Sequence, residues 1–251
     1  MLRRMPATLF VVHGSHPCAT VQRALELKGI EHRVAELPPA MHAPVAKLLF
    51  GRRTVPGLRL EDGERLTGSR AILRRLDELV PSPALLPEDE AARERVLAAE
   101  AWGDDVLQPV ARRVLWYALD RAPTAIPTFQ EHSALPLPAA VRPLLTPAIV
   151  ALEHRLNRIT PAGVRSDLLD LPRHLDRIDG WLQDGTLGGP QQNAADLQIA
   201  ATLRLLMTME DLDGPIRARP AGTLTLRVFP EWDGRVPAGT LPADWLRALQ
   251  G

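Results

Sequence analysis

The stretch Leu9-Phe10-Val11-Val12-His13-Gly14-Ser15-His16-Pro17-Cys18 passes directly from an apolar run into the start of a helical pattern. Residues 7–12 predict a central strand covered on both faces, and the apolar spacing that follows predicts a helix ending near Lys28-Gly29. The first turn of this helix carries a hydroxyl and the chain's only thiol. A strand that turns at once into such a helix is a natural place to hold a sulfur ligand.

The rest of the first eighty or so residues alternates strand and helix signals. Residues 31–37 predict a second strand, and residues 44–50 a short irregular helical piece. The runs 55–60 and 65–67 flank Asp62-Gly63, a pair that favours a tight hairpin. Ser69 is then expected to cap a helix. This order, βαβ followed by ββα, predicts an α/β unit with a largely buried sheet.

Beyond Pro81-Ser82-Pro83 the strand signals nearly vanish. We therefore predict an α/β domain over residues 5–81 and an all-helical domain over residues 87–251. In the second domain, helices are expected over 88–121 with a bend at Pro109, over 139–158 and over 161–183, with a loop at 123–138. Asn193-Ala194-Ala195-Asp196 predicts the start of another helix, and the final stretch predicts short helices and turns.

The composition limits the classes of function. The chain has 251 residues, with 30 basic and 30 acidic side chains, which gives no basic surplus for nucleic acid or an anionic membrane. A single cysteine excludes an internal disulfide and suits a reducing cytoplasm. The apolar stretch near the start is too short for a signal peptide or a membrane span. These features predict a cytoplasmic protein without nucleic-acid or membrane partners.

Two further dipeptides are candidate ligand-binding sites. Val55-Pro56 contains an X-Pro bond, and a cis proline at the head of a strand would turn the preceding backbone groups outward toward an extended ligand. Gly68-Ser69 lies at a predicted helix start, where unpaired N–H groups and the Ser69 hydroxyl can hold a carboxylate. The alternative for Ser69, and equally for Ser15, is that the hydroxyl only caps its helix.

The order of these motifs resembles the glutathione transferase superfamily. The resemblance covers essentially the whole chain and rests on Ser15-His16-Pro17-Cys18 after a strand, Thr54-Val55-Pro56 before a hairpin, Gly68-Ser69-Arg70-Ala71-Ile72, and the capping box Asn193-Ala194-Ala195-Asp196. It implies a thioredoxin-like N-terminal domain, an all-helical C-terminal domain, and glutathione or a related low-molecular-weight thiol as co-substrate.

The resemblance also implies roles for individual residues. Val55 would offer its backbone to the cysteinyl part of glutathione, with Pro56 cis, and Ser69 would hold the γ-glutamyl carboxylate. Ser15 would stabilise the ligand's thiolate together with the helix N-terminus. Gly68 departs from the family pattern, which usually has an acidic residue there.

Other candidates have alternatives that the sequence leaves open. Arg52 and Arg53 precede Thr54. Their side chains either attract the glycyl carboxylate of the thiol or are solvated on the surface. His16 offers a proton or contacts the ligand, or is a solvated loop residue. Cys18 is a redox thiol or is packed beneath the helix. The spacing of the local histidines and Cys18 does not suit a metal site, and none is predicted.

The family builds its electrophile pocket largely from the first long helix of the second domain. In this chain the corresponding substrate-lining residues are Trp102, Asp105, Val106 and Pro109, although such a stripe is also typical of a core. The resemblance as a whole predicts a homodimeric transferase that conjugates the thiol to a small apolar electrophile in detoxification. The alternatives are a catalytically silent binding or assembly module and a thiol–disulfide oxidoreductase that uses Cys18.

Overall fold

The N-terminal part of the chain is built on a four-stranded sheet. The computed structural model describes residues 6–38 and 41–249. The strands follow the order β2-β1-β3-β4, with β1 parallel to β2 and antiparallel to β3. They are β1 Ala7–Val11, β2 His32–Glu36, β3 Gly57–Arg59 and β4 Arg65–Thr67. The predicted α/β unit and its hairpin are confirmed.

Three helices accompany the sheet: α1 His16–Leu27, α2 His42–Phe50 and α3 Ser69–Leu79. Helix α3 does not begin as the sequence predicted. Gly68, rather than Ser69, is the N-cap, and Ser69 is the first helical residue. Gly68 has φ +83°, a conformation that side chains of L residues rarely adopt. A glycine therefore starts this helix without backbone strain.

The remainder of the described chain is mostly helical. Its α-helices are α4 Glu90–Trp102, α5 Gln108–Arg121, α6 Arg142–Leu156, α7 Pro161–Gln183, α8 Ala194–Leu206, α9 Glu210–Arg217 and α10 Pro220–Val228. A π-helical segment, Gly103–Leu107, separates α4 from α5 just before Pro109. Proline cannot donate an intrahelical bond, so the helix changes its pattern where the sequence predicted a bend. No helix among the described residues is long and apolar enough to cross a membrane.

Helix α8 joins the two parts of the chain. Most of its residues are fully buried, and the Thr20 hydroxyl of α1 donates to the Leu197 carbonyl at 3.3 Å. Its start is the predicted capping box: the Asn193 side chain accepts from the Asp196 N–H, and the Asp196 carboxylate accepts from the Asn193 N–H. Asp196 therefore has the folding role expected of it.

The structure shows no strand between residues 81 and 249, apart from a single bridge between Met209 and Val236, in the part that it describes. This agrees with an all-helical second part. The outer limits proposed for the two domains, at Met5 and Gly251, lie outside the described residues.

Candidate functional site

Ser15 occupies the turn between β1 and α1. Gly14 has φ +76°, which reverses the chain, and the Ser15 N–H donates to the Val12 carbonyl at 3.1 Å. Ser15 is the N-cap residue of α1, but its side chain makes no capping hydrogen bond. The hydroxyl therefore does not cap the backbone of its helix, and it lies beside the positive end of the helix dipole.

The two other candidates of this turn are buried, although Cys18 also borders the cleft that lies beside Ser15. Cys18 is buried, and burial raises the pKa of its thiol to about 11, although a hydrogen bond from Ser15 acts in the opposite direction. His16 is also buried, where burial and the charge of Arg112 lower the pKa of its imidazole to about 3. His16 is thus neither a solvated loop residue nor a side chain open to a ligand. It packs between α1 and α5, near Gln108 and Arg112.

Val55-Pro56 borders one flank of the Ser15 turn. The bond is cis, as the resemblance implied. The β1–β3 ladder pairs Phe10 with Gly57 and ends there, so the same register brings Val55 opposite Val12. Val55 has no backbone hydrogen bond to another described residue, and its N–H and C=O are open to a ligand.

The same flank includes the start of α3. The Pro56 carbonyl accepts from the Gly68 N–H at 3.2 Å, which brings Ser69 next to the proline. Within the described chain the Ser69 hydroxyl has no hydrogen-bond partner. A Cβ on Gly68 would meet nothing within 4 Å, so the missing acidic side chain leaves open space. Arg53 and Thr54 are exposed nearby on the chain. We call this region, from residue 53 to 56 with Gly68 and Ser69, the β3 flank.

A cleft of about 700 Å³ lies on the opposite flank of Ser15, next to β2. Its walls are the β1–α1 turn with Ser15, one face of α1, the β2 residues Val34 and Glu36, His132, and residues 228–233 near the C-terminus. Since β1 lies between β2 and β3 in the sheet, Ser15 separates this cleft from the β3 flank.

A carboxylate–histidine cluster closes one side of the cleft. His13 lies between two carboxylates, with its Nε2 2.7 Å from Asp233 Oδ2 and its Nδ1 3.4 Å from Glu36 Oε1. His132 Nδ1 is 2.7 Å from the other oxygen of Asp233, and the Ser133 hydroxyl donates to Glu36 at 2.6 Å. The cluster fastens residues 128–135, which we call the strap, to the β1–α1 turn.

Hydrogen bonding keeps both carboxylates of the cluster ionised. Burial raises the pKa of Asp233, but hydrogen bonds from His132 and His13 outweigh it, and the pKa lies below its usual value. Burial likewise raises the pKa of Glu36, but hydrogen bonds from Ser133 and two strap N–H groups, together with the electrostatic effect of His13, hold that pKa below its usual value. The described residues contain no group of three or more His, Cys, Asp or Glu arranged to hold a metal ion.

The four substrate-lining residues that the resemblance implied lie elsewhere. Trp102 packs against Trp181 of α7, with ring centroids 5.2 Å apart. Asp105 and Val106 are exposed on the π-helical segment, where Asp105 is 3.7 Å from Arg70. None of the four, Pro109 included, is part of the cleft lining.

Local sequence patterns do not identify most of the residues that form the cleft. His13 and Asp233 are 220 positions apart, and Glu36 and Ser133 are 97 apart, so no local spacing marks them. One signal was available. The run Phe229-Pro230-Glu231-Trp232-Asp233 concentrates rings and carboxylates in a chain with only 4% aromatic residues.

Known proteins resemble this chain in sequence and in fold. Residues 9–84 match the model of the glutathione S-transferase N-terminal domain family. Maleylacetoacetate isomerase of Pseudomonas aeruginosa is 35% identical over 100 residues, which cover 36% of this chain. The match spans only 46% of that enzyme's length.

Two solved structures illustrate the likeness in fold. A glutathione S-transferase from Rhodospirillum rubrum has a TM-score of 0.60 at 20% identity, covering 98% of this chain and all of that one. Maleylacetoacetate isomerase from Anaeromyxobacter dehalogenans, with dicarboxyethyl glutathione and citrate bound in its active site, has a TM-score of 0.56 at 21% identity. That comparison covers 90% of this chain and 91% of the other.

Proposed function

Because the chain belongs to the glutathione transferase superfamily, we propose that it is an enzyme that joins the sulfur of glutathione, or of a related low-molecular-weight thiol, to a small electrophile. The observation that carries this proposal is the position of Ser15. Its hydroxyl makes no capping hydrogen bond, contacts the Cys18 thiol, and lies at the N-terminus of α1 between the β3 flank and the cleft. The thiol would bind on the flank and the electrophile in the cleft, so that they meet at Ser15.

The β3 flank fits most of a γ-glutamyl tripeptide. Val55 offers an unpaired N–H and C=O to a cysteinyl backbone, and Ser69 offers a free hydroxyl and helix N–H groups to a carboxylate. Arg53 and Thr54 are open to a glycyl carboxylate. Gly68 offers no charge to an ammonium group, which favours weak glutathione binding or a thiol without that group.

Ser15 supplies the chemistry through its hydroxyl. The hydroxyl donates a hydrogen bond to the thiol sulfur and, with the helix dipole, stabilises the thiolate, while the thiol proton passes to solvent. The sulfur then forms a bond to the electrophilic carbon as the bond to the leaving group breaks, and the leaving group departs with the electron pair. Ser15 itself stays unmodified.

A catalytically silent module for binding or assembly is the second candidate, and Gly68 is the observation that favours it. Without an acidic partner for the ammonium group of glutathione, the protein would bind no thiol and would act only by binding partners on its surface. We do not propose thiol–disulfide exchange through Cys18, because a buried thiol with a pKa raised to about 11 forms little thiolate at neutral pH.

A homodimer is also part of the proposal. Helix α6 buries only Val150 of its side chains, while Leu144 is 78% exposed, Leu152 49% and Leu156 65%. These leucines recur at intervals of eight and four residues and so lie on one face of the helix. An apolar helix face of this size is typical of an interface between subunits.

Replacing Ser15 by alanine tests the proposal. We expect kcat/KM for conjugation of glutathione to 1-chloro-2,4-dinitrobenzene to fall about a hundredfold, the usual cost of one donor to a reacting anion. In a pH titration followed by ultraviolet absorbance, the bound thiolate should form at a higher pH in the variant than in the wild type. Ser166→Ala, on the exposed surface of α7, is the matched control.

The two candidate functions predict different results. An unchanged rate in Ser15→Ala would exclude the proposed role of the hydroxyl. If the wild-type protein neither conjugates any electrophile nor gains thermal stability from millimolar thiol, the silent module is the correct description.

A further inference from the structure

We propose that the cleft beside Ser15 binds electrophiles that carry an organic cation, such as a quaternary ammonium group, and that Phe229, Glu231, Trp232 and Asp233 form the cation subsite. This inference specifies the substrate class of the proposed enzyme. The reaction of such substrates rests on the proposed transferase activity. The binding of the cation itself can be measured without turnover.

Two aromatic rings provide the first part of the argument. Phe229 and Trp232 both line the cleft, with ring centroids 5.7 Å apart and planes at 88°. Phe229 is buried in the core and supports the pair, whereas Trp232 is only partly buried, so the ring open to the cleft is that of Trp232. The negative face of an aromatic ring attracts an ammonium group, most strongly where water is partly excluded.

The carboxylates on either side of Trp232 provide the second part. Glu231 is exposed and makes no hydrogen bond or ion pair within the described chain, so its carboxylate can contact a ligand, although its charge also acts on His132. Asp233 accepts hydrogen bonds from His13 and His132 and holds the neighbouring backbone in place. A cation against Trp232 would therefore lie in a cleft that both carboxylates line.

The charge balance of the whole cleft points the same way. Its lining carries four carboxylates, against one arginine and two histidines. The arginine, Arg23, is already 3.3 Å from Glu26, and His13 is held between Glu36 and Asp233. No cation in the lining is left to receive an anionic substrate, because His132 also faces Asp233.

This charge distinguishes the cleft from the anion-binding site of one structural neighbour. The Anaeromyxobacter dehalogenans isomerase holds dicarboxyethyl glutathione and citrate in its active site, and both are polyanions. The unpaired carboxylate of Glu231, in a lining with more carboxylates than cations, would repel such ligands. The inference is therefore that this chain does not process a dicarboxylic acid.

Three para-substituted benzyl alcohols test the cation subsite. The trimethylammonio and tert-butyl compounds have nearly the same shape and differ in charge, and the para-carboxy compound carries the opposite charge. Calorimetric titration of the full chain at pH 7 should show the cation binding about tenfold more tightly than the neutral compound, a difference in the range of one desolvated cation–π contact. The carboxylate should bind most weakly. The corresponding benzyl chlorides with glutathione should follow the same order in kcat/KM.

Glu231→Gln removes one charge of the subsite, and Glu94→Gln removes one exposed charge from α4 as the matched control. The ratio of the two dissociation constants, cation to neutral, should move toward one in Glu231→Gln and stay unchanged in Glu94→Gln. Equal binding of the cationic and neutral alcohols by the wild-type chain would overturn the inference, whether or not the chlorides react. Tight binding of the cation without any conjugation would retain the subsite and contradict only the proposed enzyme activity.

Discussion

Ser15, His16 and Cys18 share one helical turn but have three different environments. The Ser15 hydroxyl faces the cleft, His16 is buried against α5, and Cys18 is buried beneath the turn. Burial raises the pKa of the thiol and lowers that of the imidazole, because in both cases it disfavours the charged form. Of the three, only Ser15 is therefore available to a ligand at neutral pH.

His16 makes the stability of the protein sensitive to acid. Its pKa is lowered from 6.5 to about 3, so below pH 6.5 the unfolded chain binds a proton that the folded chain does not. Between pH 7 and pH 5 this residue should lower the free energy of unfolding by about 2 kcal/mol. His16→Gln removes this loss, and urea unfolding at the two pH values measures it.

The control for this prediction is His32→Gln, which removes a histidine of β2 outside the α1–α5 contact. It should keep the wild-type dependence on pH. If His16→Gln loses as much stability as the wild type between pH 7 and pH 5, His16 is protonated in the folded protein, and the assignment of a buried neutral imidazole is wrong.

The conformation of the strap is the part of the fold that sequence patterns predict least well. The sequence predicts only a proline-rich loop at 123–138, whereas the structure has a 3-10 helix at Pro123–Gln130 followed by turns. Phe129 of the strap occupies the space beside Gly234, where a Cβ would come within 2.2 Å of the ring. Packing and the cluster with Asp233, rather than local propensity, determine the path of this segment.

Protonation should control how firmly the strap is held. The pKa of His132 is raised, first by its hydrogen bond to Asp233. Its contribution to the stability of the folded strap is therefore complete below pH 6.5 and is lost as the pH rises through the folded-state pKa. The pKa values of Asp233 and Glu36 are lowered, so their contributions are lost in acid. The cluster is therefore complete between about pH 4.5 and pH 6.5.

Hydrogen exchange of the strap amides tests this dependence. After correction for intrinsic rates, protection of residues 131–135 should be lower at pH 9 than at pH 6 in the wild type. In Asp233→Asn it should be low at both pH values, with a loss of about 2 kcal/mol in unfolding free energy for the missing charged bonds. Asp244→Asn, an exposed residue of the same region, is the control. Equal protection in Asp233→Asn and the wild type would show that the cluster does not hold the strap.

At the scale of the whole molecule, local motifs explain why the fold could be predicted and the cleft could not. The strand–turn–helix at Ser15, the X-Pro bond before the hairpin, and the capping box at Asn193 each have a signature within a few residues. The cleft combines β2, the strap and the C-terminal segment, which only tertiary packing brings together. The electrophile pocket that the resemblance implies on the first long helix stays a prediction, and it is separate from the cleft that Phe229 and Trp232 line.

The exposed face of α6 gives the last prediction, which concerns assembly. In an isologous dimer every substitution occurs twice, so Leu144→Glu with Leu152→Glu would remove four leucines from the interface and bury charge in their place. At about 1.5 kcal/mol or more for each leucine, the loss is about 6 kcal/mol, enough to dissociate a micromolar dimer. Light scattering should give twice the chain mass of 27.6 kDa for the wild type and a single chain mass for the variant. Leu169→Glu changes a leucine of α7 that is 43% exposed and should leave the wild-type mass unchanged. A double variant that keeps the dimer mass would show that another surface forms the interface.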